Sequence, residues 1–140
     1  EIYSEAQDYK NAFRNFALGL KIDSELQNYE GIYYLSSKLA KVSQKVKPDL
    51  VLNFILKALG AAKRLQDRFY MVNSYLEAGD YYFSRKDFSK SLKAYFNARN
   101  VLLKGSFEKA DLQRIDKKLD NLKNSLSPAE YERILKGFKK

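Results

Sequence analysis

The sequence predicts an all-α protein built from antiparallel helical hairpins. Apolar residues recur at the three- and four-residue spacing of amphipathic helices, and no stretch alternates polar and apolar residues as a half-buried strand does. Only 2 prolines and 6 glycines interrupt the 140 residues, and an apolar content of 45% is enough for a core. We therefore expect a single structural domain of about seven helices.

The clearest hairpin joins two predicted helices, over residues 71–85 and 87–104. Gly79 lies inside the first of them, where a glycine costs roughly 1 kcal/mol relative to alanine, so a closely packed neighbour should compensate. The second helix places a small, an aromatic and a small residue on one face at i, i+4 and i+7. These residues are Ser91, Tyr95 and Ala98. The short polar turn between the two helices favours an antiparallel pair.

The same segment carries the spacing of a known repeat signature, W-x2-L-G-x2-Y…A-x3-F. The residues at its positions are Tyr75, Ala78, Gly79, Tyr82, Ser91, Tyr95 and Ala98. The chain thus resembles the tetratricopeptide repeat family. This resemblance implies an α-solenoid, in which helical hairpins stack side by side.

Two weaker copies precede this hairpin. The first copy matches six positions at an offset of 79 residues: Tyr3, Asp8, Tyr9, Ala12, Phe16 and Gly19. The middle copy has a first helix with Ile32, Leu35, Ser36 and Leu39, and a second with Ile55, Leu59 and Ala62. Its two helices are separated by seven extra residues, about two helical turns, which we place within residues 40–49. The step between hairpins is 17 residues in both cases, from Gly19 to Ser36 and from Ala62 to Gly79.

We predict that the repeats span residues 1–105 and that a divergent capping pair of helices spans residues 106–140. The first capping helix has one apolar stripe, which suits the end of a stack: Leu112, Ile115, Leu119, Leu122 and Leu126. The second begins with the features of an N-cap and a capping box, in Ser127, Pro128 and Glu130. Because Tyr3 matches a position late in a first helix, with Asp8 at the start of the second, we expect a fragment of a longer protein with its first repeat truncated.

The residue inventory disfavours catalysis. The chain has no Cys and no His, which removes the commonest general base, the thiolate nucleophile and the preferred zinc ligands. Gly60 and Gly79 lie in helical patterns and not in a phosphate-binding loop. Glu77 and Asp80 lie three residues apart on one helix, where we expect solvated carboxylates. We therefore expect a non-enzymatic chain with no catalytic residue, no cofactor and no metal site.

The net charge of +9 comes from basic residues dispersed along the chain. A solvated surface explains such a pattern, while an acidic partner, a membrane surface or nucleic acid would also be compatible with it. Nucleic acid is disfavoured because the tyrosines follow helix periodicity and not a basic stripe. No apolar stretch reaches the length of a membrane span. The abundance of Lys, Asn, Ile and Tyr is typical of an AT-rich bacterial genome, and the cytoplasm and periplasm are equally compatible with it.

The resemblance implies a function in binding other proteins. In the tetratricopeptide family, the first helices of successive hairpins line a concave groove that holds a peptide. The matching positions here are Glu30, Tyr33 and Ser37, with Lys41 at the margin, followed by Asn73, Leu76, Asp80 and Phe83. Some family members grip a carboxyl terminus with Lys, Arg and Asn, but the corresponding residues here are Tyr33, Ser37, Leu76 and Asp80. The resemblance therefore implies no clamp for acidic chaperone tails, and a groove that accepts an apolar or basic segment.

Two alternatives stay open beside this scaffold function. The chain could be a structural assembly subunit that uses a basic convex face or its open N-terminal end. The third class is nucleic-acid binding through the basic faces. Salt titration separates these, because nucleic-acid affinity falls steeply with salt and affinity for an apolar groove does not.

Overall fold

A computed structural model describes residues 2–138, with side chains from residue 5 onward. These residues form seven α-helices and one short 3₁₀ helix, with no strand among them. The helices are α1 (Ile2–Glu25), α2 (Tyr29–Val46), α3 (Val51–Leu65), α4 (Arg68–Ser84), α5 (Phe88–Leu102), α6 (Lys109–Asn124) and α7 (Pro128–Phe138), with the 3₁₀ helix at Pro48–Leu50. The predicted all-α class is confirmed. Within the described part of the chain, no helix combines the length and the apolarity needed to cross a membrane.

The chain divides into two compact units, Glu1–Tyr70 and Met71–Lys140, and each is described separately. In the first unit, α2 packs against both α1 and α3. The core contains Leu20, Ile32, Leu39 and Ala61. Aromatic side chains surround it, and Phe13 of α1 meets Phe54 of α3 edge to face, with ring centroids 6.0 Å apart.

The core of the second unit is formed by α4, α5 and α6, with apolar side chains of α7 packed against it. Its buried members are Val72, Leu76, Leu92, Tyr95, Ala98, Leu102, Ile115 and Leu122. The predicted stripe of α6 is confirmed, because Ile115 and Leu122 are buried and the remaining stripe residues are half-buried.

The close approach expected at Gly79 is also confirmed. A Cβ atom placed on Gly79 would overlap the ring of Tyr95, so alanine does not fit unless that ring or α5 shifts. The hydroxyl of Ser91 donates a hydrogen bond to the carbonyl oxygen of Gly79 at 2.8 Å. Ser91, Tyr95 and Ala98 are all buried, as their shared face predicts.

Three helix–helix turns are built in the same way. Each contains one residue in the left-handed region, at Gln27 (φ 54°), Gln66 (φ 53°) and Lys86 (φ 62°). The next residue is Asn28, Asp67 or Asp87, and its side chain accepts a hydrogen bond from a backbone N–H of the following helix. Its own N–H donates to the carbonyl five residues earlier at 2.9–3.1 Å, which is the hydrogen bond of a Schellman motif.

The expected break in the first copy is wrong. Asp8 was matched to the N-cap Asp87, but α1 runs without interruption from Ile2 to Glu25. Gln7-Asp8 is the same dipeptide as Gln66-Asp67, yet only the latter forms a turn. Neither residue forces a helix to end, because Gln is a good helix former and adopts positive φ only at a cost. The dipeptide alone therefore does not determine where a helix ends. The surroundings of Gln66 in the fold decide it, and they differ from those of Gln7.

The seven extra residues of the middle hairpin lie where the sequence predicts. Most of them lengthen α2, which continues from Ser36 to Val46, whereas α4 continues only from Gly79 to Ser84. Pro48 then opens the 3₁₀ helix ahead of α3. The turns within the two equal 17-residue steps, however, lie at different positions. The left-handed residue follows Gly19 by eight positions at Gln27, but follows Ala62 by only four at Gln66.

The predicted capping box of α7 is confirmed. The Ser127 hydroxyl accepts a hydrogen bond from the Glu130 N–H at 3.2 Å, and the Glu130 carboxylate accepts one from the Ser127 N–H at 3.2 Å. The hydrogen bond from the Ser127 N–H to the carboxylate, followed by the interaction of the Ser127 side chain with the carboxylate, lowers the pKa of Glu130. Pro128 occupies the first helical position, where its missing N–H costs nothing.

Two glycines in helices should respond oppositely to alanine. Gly79→Ala should lower the free energy of unfolding by about 1–3 kcal/mol, because the new methyl group overlaps Tyr95. Gly60→Ala should raise it by up to about 1 kcal/mol, because no atom lies within 4 Å of the new methyl group and alanine favours the helix. Urea unfolding followed by circular dichroism measures both, and equal stability of the two variants would contradict the packing described for Gly79.

The left-handed residue of the α4–α5 turn should be improved by glycine. Lys86→Gly should raise the free energy of unfolding by about 1 kcal/mol, because it removes the steric cost of positive φ. Lys93→Gly is the matched control at an exposed helical position, where glycine should cost about 1 kcal/mol. Destabilisation of the same size in both variants would show that Lys86 does not occupy this conformation.

Candidate partner-binding site

The predicted groove positions of α2 lie against the start of α4. Tyr33 is half-buried and stacks on Tyr70, with ring centroids 4.0 Å apart and planes 9° from parallel. The Tyr70 hydroxyl donates to a carboxylate oxygen of the exposed Glu30 at 3.4 Å, and the charge of Glu30 is the main reason that the pKa of Tyr70 is raised. Ser37 is half-buried. Glu30 and Tyr33 thus already contact a neighbouring helix within the first unit.

Two of the predicted groove positions of α4, Asn73 and Asp80, contact α6. The Arg114 guanidinium donates to the Asn73 side-chain oxygen at 3.4 Å. The Lys118 ammonium group donates to both carboxylate oxygens of Asp80, at 3.0 and 3.1 Å. Phe83 is half-buried and meets Phe88 edge to face at 5.6 Å.

The prediction that Leu76 faces an open groove is wrong. Its side chain is only 3% exposed and belongs to the same core cluster as Ile115 and Leu122 of α6. The reason is that the apolar stripe of α6 packs on this face of α4, so the face is an internal helix–helix interface. The sequence predicted an apolar or basic segment here, and α6 supplies both kinds of residue from within the chain.

Asp80 is the polar centre of this interface. One of its carboxylate oxygens accepts a hydrogen bond from the Tyr95 hydroxyl at 2.6 Å, in addition to the contact with Lys118. Burial, followed by the hydrogen bond to Asp80, raises the pKa of Tyr95, so the hydroxyl remains a donor at alkaline pH where an ordinary tyrosine loses its proton. A second ion pair joins α5 to α6, from Arg99 Nε to an Asp116 carboxylate oxygen at 3.0 Å.

A cleft that the sequence did not predict lies in the second unit, between the α4–α5 turn and α7. Its volume is about 950 Å³. Five exposed basic side chains line it and are called its rim here: Arg85, Lys86, Lys90, Lys93 and Arg133. Four apolar side chains line it and are called its floor: the half-buried Phe88, Leu126 and Ile134, and Phe138. This cleft combines apolar surface with a concentration of positive charge.

The two carboxylates in the cleft wall are already used by the fold. Asp87 caps α5 by accepting the Lys90 N–H at 3.3 Å, and its other oxygen lies 3.9 Å from the Lys90 ammonium nitrogen. Glu130 is held in the capping box of α7. The side chains of Lys86 and Lys93, in contrast, make no hydrogen bond or ion pair with the described residues. The positive end of the α5 helix dipole lies in the same wall.

The cleft could not be predicted from the sequence because its basic residues come from separate parts of the chain. The α4–α5 turn supplies Arg85 and Lys86, while α7 supplies Arg133 about 50 residues later. The cations of residues 85–93 are visible in the sequence, but there they form part of a dispersed basic pattern that a solvated surface, an acidic partner, a membrane surface or nucleic acid would all explain. Only the folding of α7 over this turn creates a concave surface.

The chain matches no protein-family model, no curated protein and no solved structure. The tetratricopeptide resemblance therefore stays a prediction. It depends on the spacing of residues in the segment from Tyr75 to Ala98.

The contact between Tyr95 and Asp80 should be strongly coupled. Tyr95→Phe and Asp80→Ala should each lower the free energy of unfolding by about 1–3 kcal/mol, because each removes the hydrogen bond between the Tyr95 hydroxyl and the charged Asp80 carboxylate. The double variant should lose less than the sum, with a coupling energy of about 0.5–3 kcal/mol. Chemical unfolding of the four proteins measures this, with Asp120→Ala on an exposed position of α6 as the control. Additive losses would show that the two side chains do not interact.

Proposed function

We propose that this chain is a protein-interaction module that holds a segment of a partner protein in the cleft between the α4–α5 turn and α7. The observation that carries this proposal is the combination of an apolar floor and a basic rim in one concave surface. Protein-binding surfaces typically have an apolar centre and a polar rim, and they use the rim to orient the partner.

The proposal includes the solenoid arrangement implied by the tetratricopeptide resemblance, with a C-terminal pair of helices after the repeats. Its support is the repeat spacing along the sequence and the close packing of Gly79 against Tyr95. The shared construction of three helix–helix turns adds to it. The proposal also retains the expectation of a non-enzymatic chain, since its sequence contains neither Cys nor His.

The cleft is better supported as the binding surface than the groove implied by the resemblance. In the first unit, Tyr70 stacks on Tyr33 and donates to Glu30. In the second unit, α6 covers Leu76 and engages Asp80. A partner at these positions would have to displace part of the fold, whereas the cleft is open to solvent.

Nucleic-acid binding is the second candidate, because the basic rim lies beside aromatic residues of the floor. Such binding would depend on phosphate contacts and would lose affinity steeply with added salt. Fluorescence anisotropy of a labelled oligothymidine, measured at several salt concentrations, tests this alternative directly.

The absence of cysteine in this sequence allows a precise test of the proposed location. Peptides are first selected on the unmodified protein from a random-sequence display library. A single cysteine is then introduced at the exposed cleft residue Ser89 and labelled with a bulky maleimide. We expect affinity for the selected peptides to fall by about tenfold or more, because the label occupies the cleft and excludes the anchoring side chains.

The matched control places the same label on Asn53→Cys, at an exposed position of α3 in the first unit. Affinity there should change less than about twofold, since the cleft is untouched. Equal effects of the two labels, or selection of no peptide sensitive to the Ser89 label, would overturn the proposed function.

A further inference from the structure

We infer that the partner segment is acidic and carries large apolar side chains. This inference rests on the proposed function and adds the chemistry of the partner. It reverses the sign of the charge that the sequence predicted, since the groove implied by the resemblance was expected to accept an apolar or basic segment.

The charge of the cleft carries the first part of the argument. Five basic side chains border it against two carboxylates, Asp87 and Glu130. Each carboxylate accepts a hydrogen bond from a backbone N–H group at the start of a helix, so part of its negative charge is already compensated within the fold. Lys86 and Lys93 have no such partner among the described residues. The unmatched charge is therefore positive, and it complements carboxylates on the occupant.

The floor carries the second part. Phe88, Leu126 and Ile134 are half-buried, and Phe138 is 37% exposed. Each therefore offers apolar surface that water covers in the absence of a partner. Burying this surface against leucine or phenylalanine side chains is favourable by about 25 cal/mol per Å². A purely acidic segment would leave the floor uncovered, so the occupant needs both kinds of residue.

The state of the aromatic rings favours a protein segment over nucleic acid. Phe88 already meets Phe83 edge to face at 5.6 Å, and Phe138 meets Phe96 at 6.3 Å with planes 86° apart. The rest of the floor is aliphatic, from Leu126 and Ile134. Single-stranded bases bind by stacking on aromatic side chains, and this floor contains only two aromatic rings, each already in contact with another ring. Aliphatic side chains of a peptide fit such a floor well.

The test uses peptides selected on the unmodified protein and sorted by their sensitivity to the Ser89→Cys label. We expect the sensitive peptides to have net negative charge and several large apolar residues. Their affinity should fall by about tenfold in Lys86→Asn/Lys93→Gln/Arg133→Gln, which removes three rim charges. Asn is chosen at position 86 because it tolerates positive φ.

The control variant Lys21→Gln/Lys41→Gln/Lys57→Gln removes the same charge from exposed positions of the first unit. It should change affinity by less than about twofold, because none of these lysines lines the cleft. Circular dichroism confirms that both variants keep their helical content.

The other possible outcomes would overturn either the acidic partner or the proposed function. Label-sensitive peptides that are neutral or basic, or equal losses in both charge variants, overturn the acidic partner but leave the protein-binding function standing. If no peptide is label-sensitive while an oligothymidine binds and is lost in the rim variant, both the inference and the proposed function are wrong, and the cleft is a nucleic-acid site.

Discussion

The packing of the second unit depends on one missing side chain. Because Gly79 has no Cβ, the ring of Tyr95 lies directly against the α4 backbone, and Ser91 reaches the Gly79 carbonyl. This approach brings the Tyr95 hydroxyl to Asp80, the residue next to Gly79. Asp80 in turn accepts hydrogen bonds from Lys118. A single glycine thus sets the distance between α4 and α5 and also creates the polar contact that orients α6.

This arrangement separates the charges of the second unit into two regions. The carboxylates of Asp80 and Asp116 are matched by Lys118 and Arg99 at interfaces with α6. These pairs are partly exposed, so each adds little stability. They do mean that all four charged side chains already have a partner within the fold. Among the described residues, the basic side chains around the α4–α5 turn have one ion pair, between Lys90 and Asp87. A net positive charge therefore remains on the side chains that line the cleft, where five basic residues face two acidic ones.

The sequence was sufficient to predict the structure where a local rule determines it. The capping box at Ser127 depends on hydrogen bonds within one helical turn, and the glycine at Gly79 identifies a close contact because it is costly in a helix. The sequence was not sufficient where packing decides between two allowed conformations. Gln7 and Gln66 each precede an aspartate, but a helix ends only at Gln66. The cleft could not be predicted, because its walls meet only after α7 folds.

The expected charge of the partner changes because the sequence does not show whether a charged side chain is already paired within the fold. Treated as open, Asp80 makes the α4 face acidic and favours a basic partner. Once Tyr95 and Lys118 engage it, that face no longer presents an unmatched carboxylate, and α6 itself has the basic, apolar character expected of the ligand. A second basic segment would meet like charge at the cleft rim, since the Lys86 and Lys93 side chains have no acidic partner among the described residues. A segment with the basic, apolar composition of α6 therefore complements the α4 face and does not complement the cleft rim.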